Sequence, residues 1–299
     1  MCELFAMSGR CPANVRVAFP RFAAHGGDLG PHIDGSGIAF YEEKAALVIR
    51  EPAPASNSEM AVFMANQQIK STTVISHVRR ATGNTAVALR NTQPFVRELA
   101  GHDHVFAHNG DIPGVLSSNR FPLANFHPVG ETDSEHAFCY LLGRLDPLWR
   151  HGRPSVERRA VVVREVANTL AALGPSNFLY SDGEYLYAFS HWRPRADQSP
   201  PRLPGLYLLS LTCQDDMEAE GLRVRSQQPQ RIVMVASVPL TDGPWKPMEK
   251  GSLLILSNGT SVSAAGYTQI LIEERIRRHA TDQGEPPDTQ KRVFVFPSG

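Results

Sequence analysis

No apolar run of the roughly 18 residues that mark a membrane-spanning helix occurs anywhere in this chain. Nor does MCELFAMSGR at its start hold a basic stretch followed by an apolar core, so no secretory signal is expected there. Charge of one sign is missing too. Thirty basic residues balance 30 acidic ones, which argues against a nucleic-acid surface. Cysteine is scarce: Cys2, Cys11, Cys139 and Cys213 are all there are. They form no CxxC pair and match no zinc spacing. Internal repeats and a convincing linker are also lacking. These absences leave a reduced, cytoplasmic protein, with no membrane and no nucleic-acid partner expected.

What is present suits a packed globular chain. Hydrophobic residues make up 42% and charged residues 20%, enough to build a sizeable core. Residues 1–299 read as a single domain, with 282–299 a polar tail ending in an apolar patch. Strands are expected at Cys2–Ser8, at Thr72–Val78 with its β-branched run, at His104–Ala107, Leu206–Cys213 and Arg231–Val238. Gly37–Tyr41 and Ala45–Arg50 read as a hairpin, as do Phe178–Tyr180 and Tyr185–Ser190 about Ser181-Asp182-Gly183. Leu253–Leu256 turns at Asn258-Gly259. Helices are expected over Ser58–Ile69, capped by Ser56 or Ser58, over Asp133–Leu145 behind Thr132, over Val156–Leu173, and over Tyr267–His279. His191–Pro204 reads as a surface loop. Cys139 and Cys213 lie in apolar segments and read as core residues.

One residue carries unusual chemistry. Cys2 stands directly behind Met1. With Met1 removed, it holds a thiol and a free α-amine together. The thiolate is the nucleophile of cysteine chemistry, and an adjacent base is the usual route to it. An α-amine with a pKa of roughly 7.7–8.0 is partly neutral near pH 7 and can accept that proton. Taken alone, Cys2 is simply a small residue at a chain start.

Further along stand four more islands: Ser76-His77-Val78-Arg79-Arg80-Ala81-Thr82-Gly83, Asn91-Thr92-Gln93-Pro94-Phe95, His108-Asn109-Gly110, and Gly130-Glu131-Thr132-Asp133-Ser134-Glu135. Each has a plain reading of its own. Arg79 reads as a surface ion pair. Asp133 reads as a helix-start carboxylate. His108-Asn109-Gly110 reads as a turn. His77 reads as a buried core histidine. Glu131, Glu135 and His136 read as a solvated helix face or cap.

In this order and spacing, however, the islands resemble the class II glutamine amidotransferases. That family is the cysteine branch of the N-terminal nucleophile hydrolases, and its pattern is an N-terminal Cys, then H-x-R-x-A-T, N-x-H-P, H-N-G and T-D-S/T-E. The segment His32-Ile33-Asp34-Gly35-Ser36-Gly37-Ile38-Ala39-Phe40-Tyr41 is similar to that of the small stand-alone bacterial members, the YafJ-like type. The resemblance covers roughly residues 1–265 and implies an α+β fold: a four-layer αββα sandwich of two antiparallel sheets. It implies Cys2 as nucleophile, with Asn109 and Gly110 as the oxyanion hole. Arg79 would grip the substrate α-carboxylate, which suits a planar charged fork. Asp133 would take the α-ammonium. Thr82 would line the pocket, and His77 would bind or orient nearby. No cofactor and no metal is required by this chemistry.

The implied activity is that of a glutaminase, hydrolysing the γ-amide of glutamine through a Cys2 thioester. With no synthase domain appended, a separate ammonia-accepting subunit is one implied partner. A γ-glutamyl amidohydrolase acting on a conjugate, and a non-catalytic glutamine-sensing subunit, are the alternatives. Oligomeric state is left open. Three positions depart from the family pattern. Arg80 replaces a Trp and adds a cation. Gln93 replaces His as a neutral hydrogen-bonding group. Ser36 replaces a bulky aromatic, which is expected to widen the pocket mouth.

Overall fold

The computed structural model describes residues 2–13, 18–67, 69–83, 85–193, 204–213, 217–219, 222–224 and 229–262. The expected helix over Tyr267–His279, the tail, and most of the His191–Pro204 loop lie outside them. The chain opens with strand β1 (Glu3–Ala13) and helix α1 (Ala18–Ala24). A hairpin follows, β2 (Ser36–Glu42) and β3 (Ala45–Glu51), then helix α2 (Glu59–Asn66) and strand β4 (Ser71–Val78). A second hairpin, β5 (Phe95–Leu99) and β6 (His102–Gly110), leads to two long helices, α3 (Asp133–Trp149) and α4 (Val156–Ala171). Strands make up the rest: β7 (Ser176–Ser181), β8 (Leu186–Ser190), β9 (Tyr207–Cys213), β10 (Met217–Ala219), β11 (Leu222–Val224), β12 (Gln230–Ala236), β13 (Lys246–Pro247), β14 (Ser252–Ser257) and β15 (Thr260–Ser261).

Seven strands form one sheet, in the order β13-β9-β12-β1-β4-β2-β3, and six form a second, β15-β14-β8-β7-β6-β5. Neighbours in both are antiparallel. The sheets meet across an apolar seam, with Leu4, Ala6 and Ile75 from the first and Val105, Ala107 and Leu179 from the second. On its outer face the first sheet sets Phe5, Met7 and Val74 against Phe22 of α1. The second sets Phe106 and Phe178 against Phe138 and Leu142 of α3 and Val163 and Val166 of α4. Helix, sheet, sheet, helix is the layering that the resemblance implied. No helix among the described residues is long and apolar enough to cross a membrane.

A strand's side chains alternate between its two faces, and this period places the chemistry. In β1, Leu4 and Ala6 face the seam while Phe5 and Met7 face α1. Cys2 therefore falls on the seam side and Glu3 on the α1 side. In β4, Ile75 faces the seam, so His77 and Arg79 follow it. In β6, Val105 and Ala107 face the seam and Phe106 faces α3. Asn109 thus looks inward between the sheets, and His108 looks toward α3.

Helix starts follow their caps. Ser58 accepts a hydrogen bond from the Ala61 N–H at the head of α2, and Thr132 accepts one from the Glu135 N–H at the head of α3, satisfying otherwise orphaned donors.

Candidate active site

One step beyond the β1–β4 register, in which Glu3 faces Val78 and Leu4 faces His77, Cys2 stands across from Arg79. Cys2 Sγ lies 3.4 Å from both the Arg80 N–H, which donates to it, and the Arg80 carbonyl, to which the thiol donates. Burial raises the thiol pKa above its ordinary value. The Arg80 backbone bond, the positive amino terminus and Arg79 act against that, in this order, without offsetting it. A thiol so placed stays neutral near pH 7 and needs a base at hand.

Around it opens a cavity of about 410 Å³, part of it continuous with solvent. It gathers Cys2, Arg79, Thr82, Gly110 and Asp133 from four separate islands of the sequence. Two expected site residues are not on its wall. His77 is fully buried beneath it, and Asn109 is fully buried between the sheets. Asn109 Nδ2 donates to Ser237 Oγ at 3.3 Å.

Arg79 does not behave as the surface ion pair of its plain reading. It is 4% exposed, yet among the described residues it meets no carboxylate. Its Nη1 instead donates to the carbonyls of Asp34 and Ala86, each at 3.2 Å. The rest of its guanidinium fork is left without a protein acceptor among the described residues. Asp34 also braces the next residues. Its Oδ2 accepts from the Ala81 N–H at 2.8 Å, and its N–H donates to the Arg79 carbonyl. The His32–Tyr41 segment therefore serves the site by holding the Arg79–Ala81 backbone.

Asp133 heads α3. Its Oδ2 accepts from the Ile112 N–H at 2.8 Å and its Oδ1 from the Ser134 N–H at 2.7 Å. Two backbone donors thus hold both carboxylate oxygens at the head of the helix. At Gly110 only glycine fits: a Cβ there would sit 1.9 Å from the Pro175 carbonyl oxygen. That close approach brings β6 into the cavity wall.

Seven further residues line the cavity, Arg80, Gln93, His108 and Ser134 among them. Gln93, expected to be structural, accepts the His108 N–H through Oε1 at 2.6 Å and so pins β6 beside the site. His108 Nδ1 is 2.9 Å from Ser134 Oγ, which donates to Asp133 Oδ1 at 3.1 Å.

Two expectations need correction. Ser36 does not widen this mouth. It borders a separate shallow hollow with Ile49, Arg50 and Met60. Glu135 and His136 are not solvated. Both are buried, because α3 packs that face inward. Glu135 pairs with Arg97 at 2.5 Å and accepts the Gly130 N–H, and His136 Nε2 meets the Phe121 carbonyl. Cys139, expected in the core, is buried there, and burial pushes its thiol up to about 11. The Cys213 side chain lies outside the described residues. No group of His, Cys, Asp and Glu among the described residues is placed to hold a metal ion.

Three buried histidines carry a pH signature. Burial, the largest cause in each case, lowers His77 from 6.5 to about 3 and His104 and His108 from 6.5 to about 4. Unfolded, they take up protons near 6.5; folded, they refuse them until pH 3–4. The unfolded state therefore binds more protons in that window, so stability rises with pH. Their contribution is whole above pH 6.5 and drains as pH falls toward 4. Urea unfolding midpoints should drop steadily over that range. His77→Gln should flatten the dependence by up to about 1.4 kcal/mol per pH unit. An unchanged slope would contradict the assignment of His77 as neutral and buried.

The sequence profile of the glutamine amidotransferases class-II matches residues 1–281. YafJ of Escherichia coli, named as a candidate glutamine amidotransferase, is 41% identical over 201 residues, which cover 65% of this chain and 76% of YafJ. A Haemophilus influenzae protein named in the same way is 31% identical, covering 88% and 86% of the two chains. A solved structure of a predicted glutamine amidotransferase from Pseudomonas aeruginosa superposes with a TM-score of 0.63 at 31% identity, over 88% of this chain and 100% of that one. The glutamine phosphoribosylpyrophosphate amidotransferase of B. subtilis shares the fold, with a TM-score of 0.55 at 16% identity, over 88% of this chain and 49% of that one.

Proposed function

This chain belongs to the class II glutamine amidotransferases, and from that premise we propose that it hydrolyses the γ-amide of glutamine, with Cys2 as the nucleophile. The observation that carries the reading is Arg79. A buried guanidinium with no carboxylate partner among the described residues, on the wall of a cavity shared with Cys2 and Asp133, suits the α-carboxylate of an amino acid. Asp133 then takes the α-ammonium. Two opposite charges at fixed places select a zwitterion and reject plain amides.

Chemistry follows from that grip. Removal of Met1 frees the α-amine of Cys2, which accepts the thiol proton. Sulfur attacks the γ-carbonyl carbon, and the negative charge passes to oxygen. The Gly110 N–H and the Asn109 amide are the donors assigned to it, each worth roughly 2.7–4 kcal/mol in such sites. The α-ammonium returns the proton to nitrogen as the C–N bond breaks and ammonia leaves. Water hydrolyses the thioester to glutamate. Ammonia released in this way calls for an acceptor, which we place on a separate subunit. The test is intact mass without Met1, together with Cys2 alkylation by a glutamine-like electrophile that free glutamine blocks. Alkylation indifferent to glutamine would sink the reading.

Arg80 favours a second substrate. Two arginines and one aspartate are among the residues lining the cavity, so a bound zwitterion leaves one cation unmatched. Among the described residues the exposed Arg80 side chain has no acidic partner. A γ-glutamyl conjugate with an anionic amine portion would balance it. Arg80→Ala should then lower kcat/KM for γ-glutamylglutamate by about three- to fivefold more than for glutamine, the size of an exposed charge pair. Equal effects on both substrates would remove the case for a conjugate.

A further inference from the structure

Ser237 stands where β12 ends, and it ties the two sheets together at the level of Cys2. The β1–β12 register, with Phe5 facing Ala236, continues to Leu4 facing Ser237. An ordinary ladder would pair the Leu4 N–H with the Ser237 carbonyl. Instead, the N–H donates to Ser237 Oγ at 3.0 Å, while the Ser237 N–H donates to the Leu4 carbonyl at 3.0 Å. The displaced Ser237 carbonyl accepts from Arg193 Nη1 at 2.8 Å, and Arg193 Nη2 pairs with Glu3 Oε1 at 3.4 Å. The hydroxyl is thereby fixed two residues from the nucleophile.

The same Oγ meets the Asn109 amide from the opposite sheet. Asn109 Oδ1 is buried without a partner among the described residues. An orphaned carbonyl oxygen there costs stability and would repel an oxyanion. The two ends of a side-chain amide differ only in what they offer, and the surrounding hydrogen bonds choose between them. Leu4 occupies one acceptor position of Ser237 Oγ, and the hydroxyl keeps a proton of its own to give.

We propose that Ser237 is the positioning residue of Asn109. Its hydroxyl proton, donated to the Asn109 carbonyl end, turns the NH₂ end toward the reacting γ-carbonyl. The orphaned acceptor is then satisfied, and two N–H groups stand where negative charge develops. This rests on the functional reading above, since it assumes a tetrahedral intermediate on Cys2.

The test uses the full chain freed of Met1. Ser237→Ala should lower kcat for glutamine by about 10- to 100-fold, part of the cost of losing one oxyanion donor, with KM changed by less than about twofold. Ser237→Thr, which keeps the hydroxyl, should restore kcat to within about threefold. Alkylation of Cys2 by a glutamine chloroketone displaces chloride directly and leans little on that donor. Its rate should hold in both variants. An active parent whose kcat survives Ser237→Ala overturns the proposal alone. So does a loss shared equally by kcat, alkylation and melting temperature without rescue by Thr, which makes Ser237 a packing residue. A parent that turns over no γ-glutamyl amide overturns the functional reading, and the proposal with it.

Discussion

Cys2→Ala protein, freed of its leading methionine, should release ammonia from glutamine at a rate lower by about 10⁴-fold or more, the scale seen when a covalent nucleophile is deleted. The fold should barely register the change. Cys2 is half-buried at the head of β1, ahead of the first ladder pair, and it loses only a small soft group. Protein that keeps Met1 should fail in the same way for a different reason. Its sulfur is present, but its α-amine is locked into a peptide bond and accepts no proton. With burial holding the thiol pKa up, His108 on the cavity wall is a poor substitute base: its Nδ1 meets Ser134 Oγ, and burial lowers its pKa to about 4. Both proteins should still bind glutamine, because Arg79 and Asp133 are untouched. Calorimetry can therefore separate binding from turnover. Normal turnover in either protein ends the assignment of an N-terminal nucleophile. Intact binding with no turnover in the mature parent as well would favour the sensing subunit.

Much of this architecture was legible in the residues themselves. The β-branched run at Thr72–Val78 and the hairpin over Glu42–Lys44 are local signals, and the strands formed there within a residue or two of their expected bounds. Other elements gave no such signal, α1 and β5 among them. The short α1 has Pro20 inside it, and β5 carries Arg97 and Glu98 in mid-strand, which reads as a loop. β5 is a sheet edge, where charge is tolerated, and the buried Glu135 of α3 takes up Arg97. α3 runs past its expected end, through Pro147 to Trp149, because Trp149 packs on His102 and His104 and under Arg159. Tertiary contact overrode the local stop. The site divides along the same line. Cys2, Arg79, Thr82, Gly110 and Asp133 sit in ordered motifs, so they could be found. The Glu3 cluster could not. It joins His25, 22 residues away, and Arg193, 190 residues away. Ser237, bonded to a residue 233 positions earlier, is equally silent until the chain folds.

Arg79→Met should raise KM for glutamine by about 10²- to 10³-fold while leaving the melting temperature unchanged or higher. The two halves of that expectation have one cause. Burying a guanidinium costs solvation, and the usual compensation is a carboxylate. Among the described residues Arg79 has none. Two backbone carbonyls on a single nitrogen, Nη1, are its protein acceptors, and neutral acceptors recover only part of the loss. Arg79 is thus an under-compensated cation, and on the proposed reading the substrate α-carboxylate supplies the missing charge. A methionine of similar length removes the charge together with its cost, so the fold need not suffer, but the carboxylate finds no partner. Arg79→Lys should fall between. It keeps the charge but loses the fork that engages Asp34, Ala86 and a ligand at once. Its loss should lie mainly in KM, since the grip on the carboxylate exists before and during reaction alike. If Arg79→Met melts well below the parent and keeps its KM, then Arg79 serves to brace the Asp34 loop, and the α-carboxylate must be held by another group.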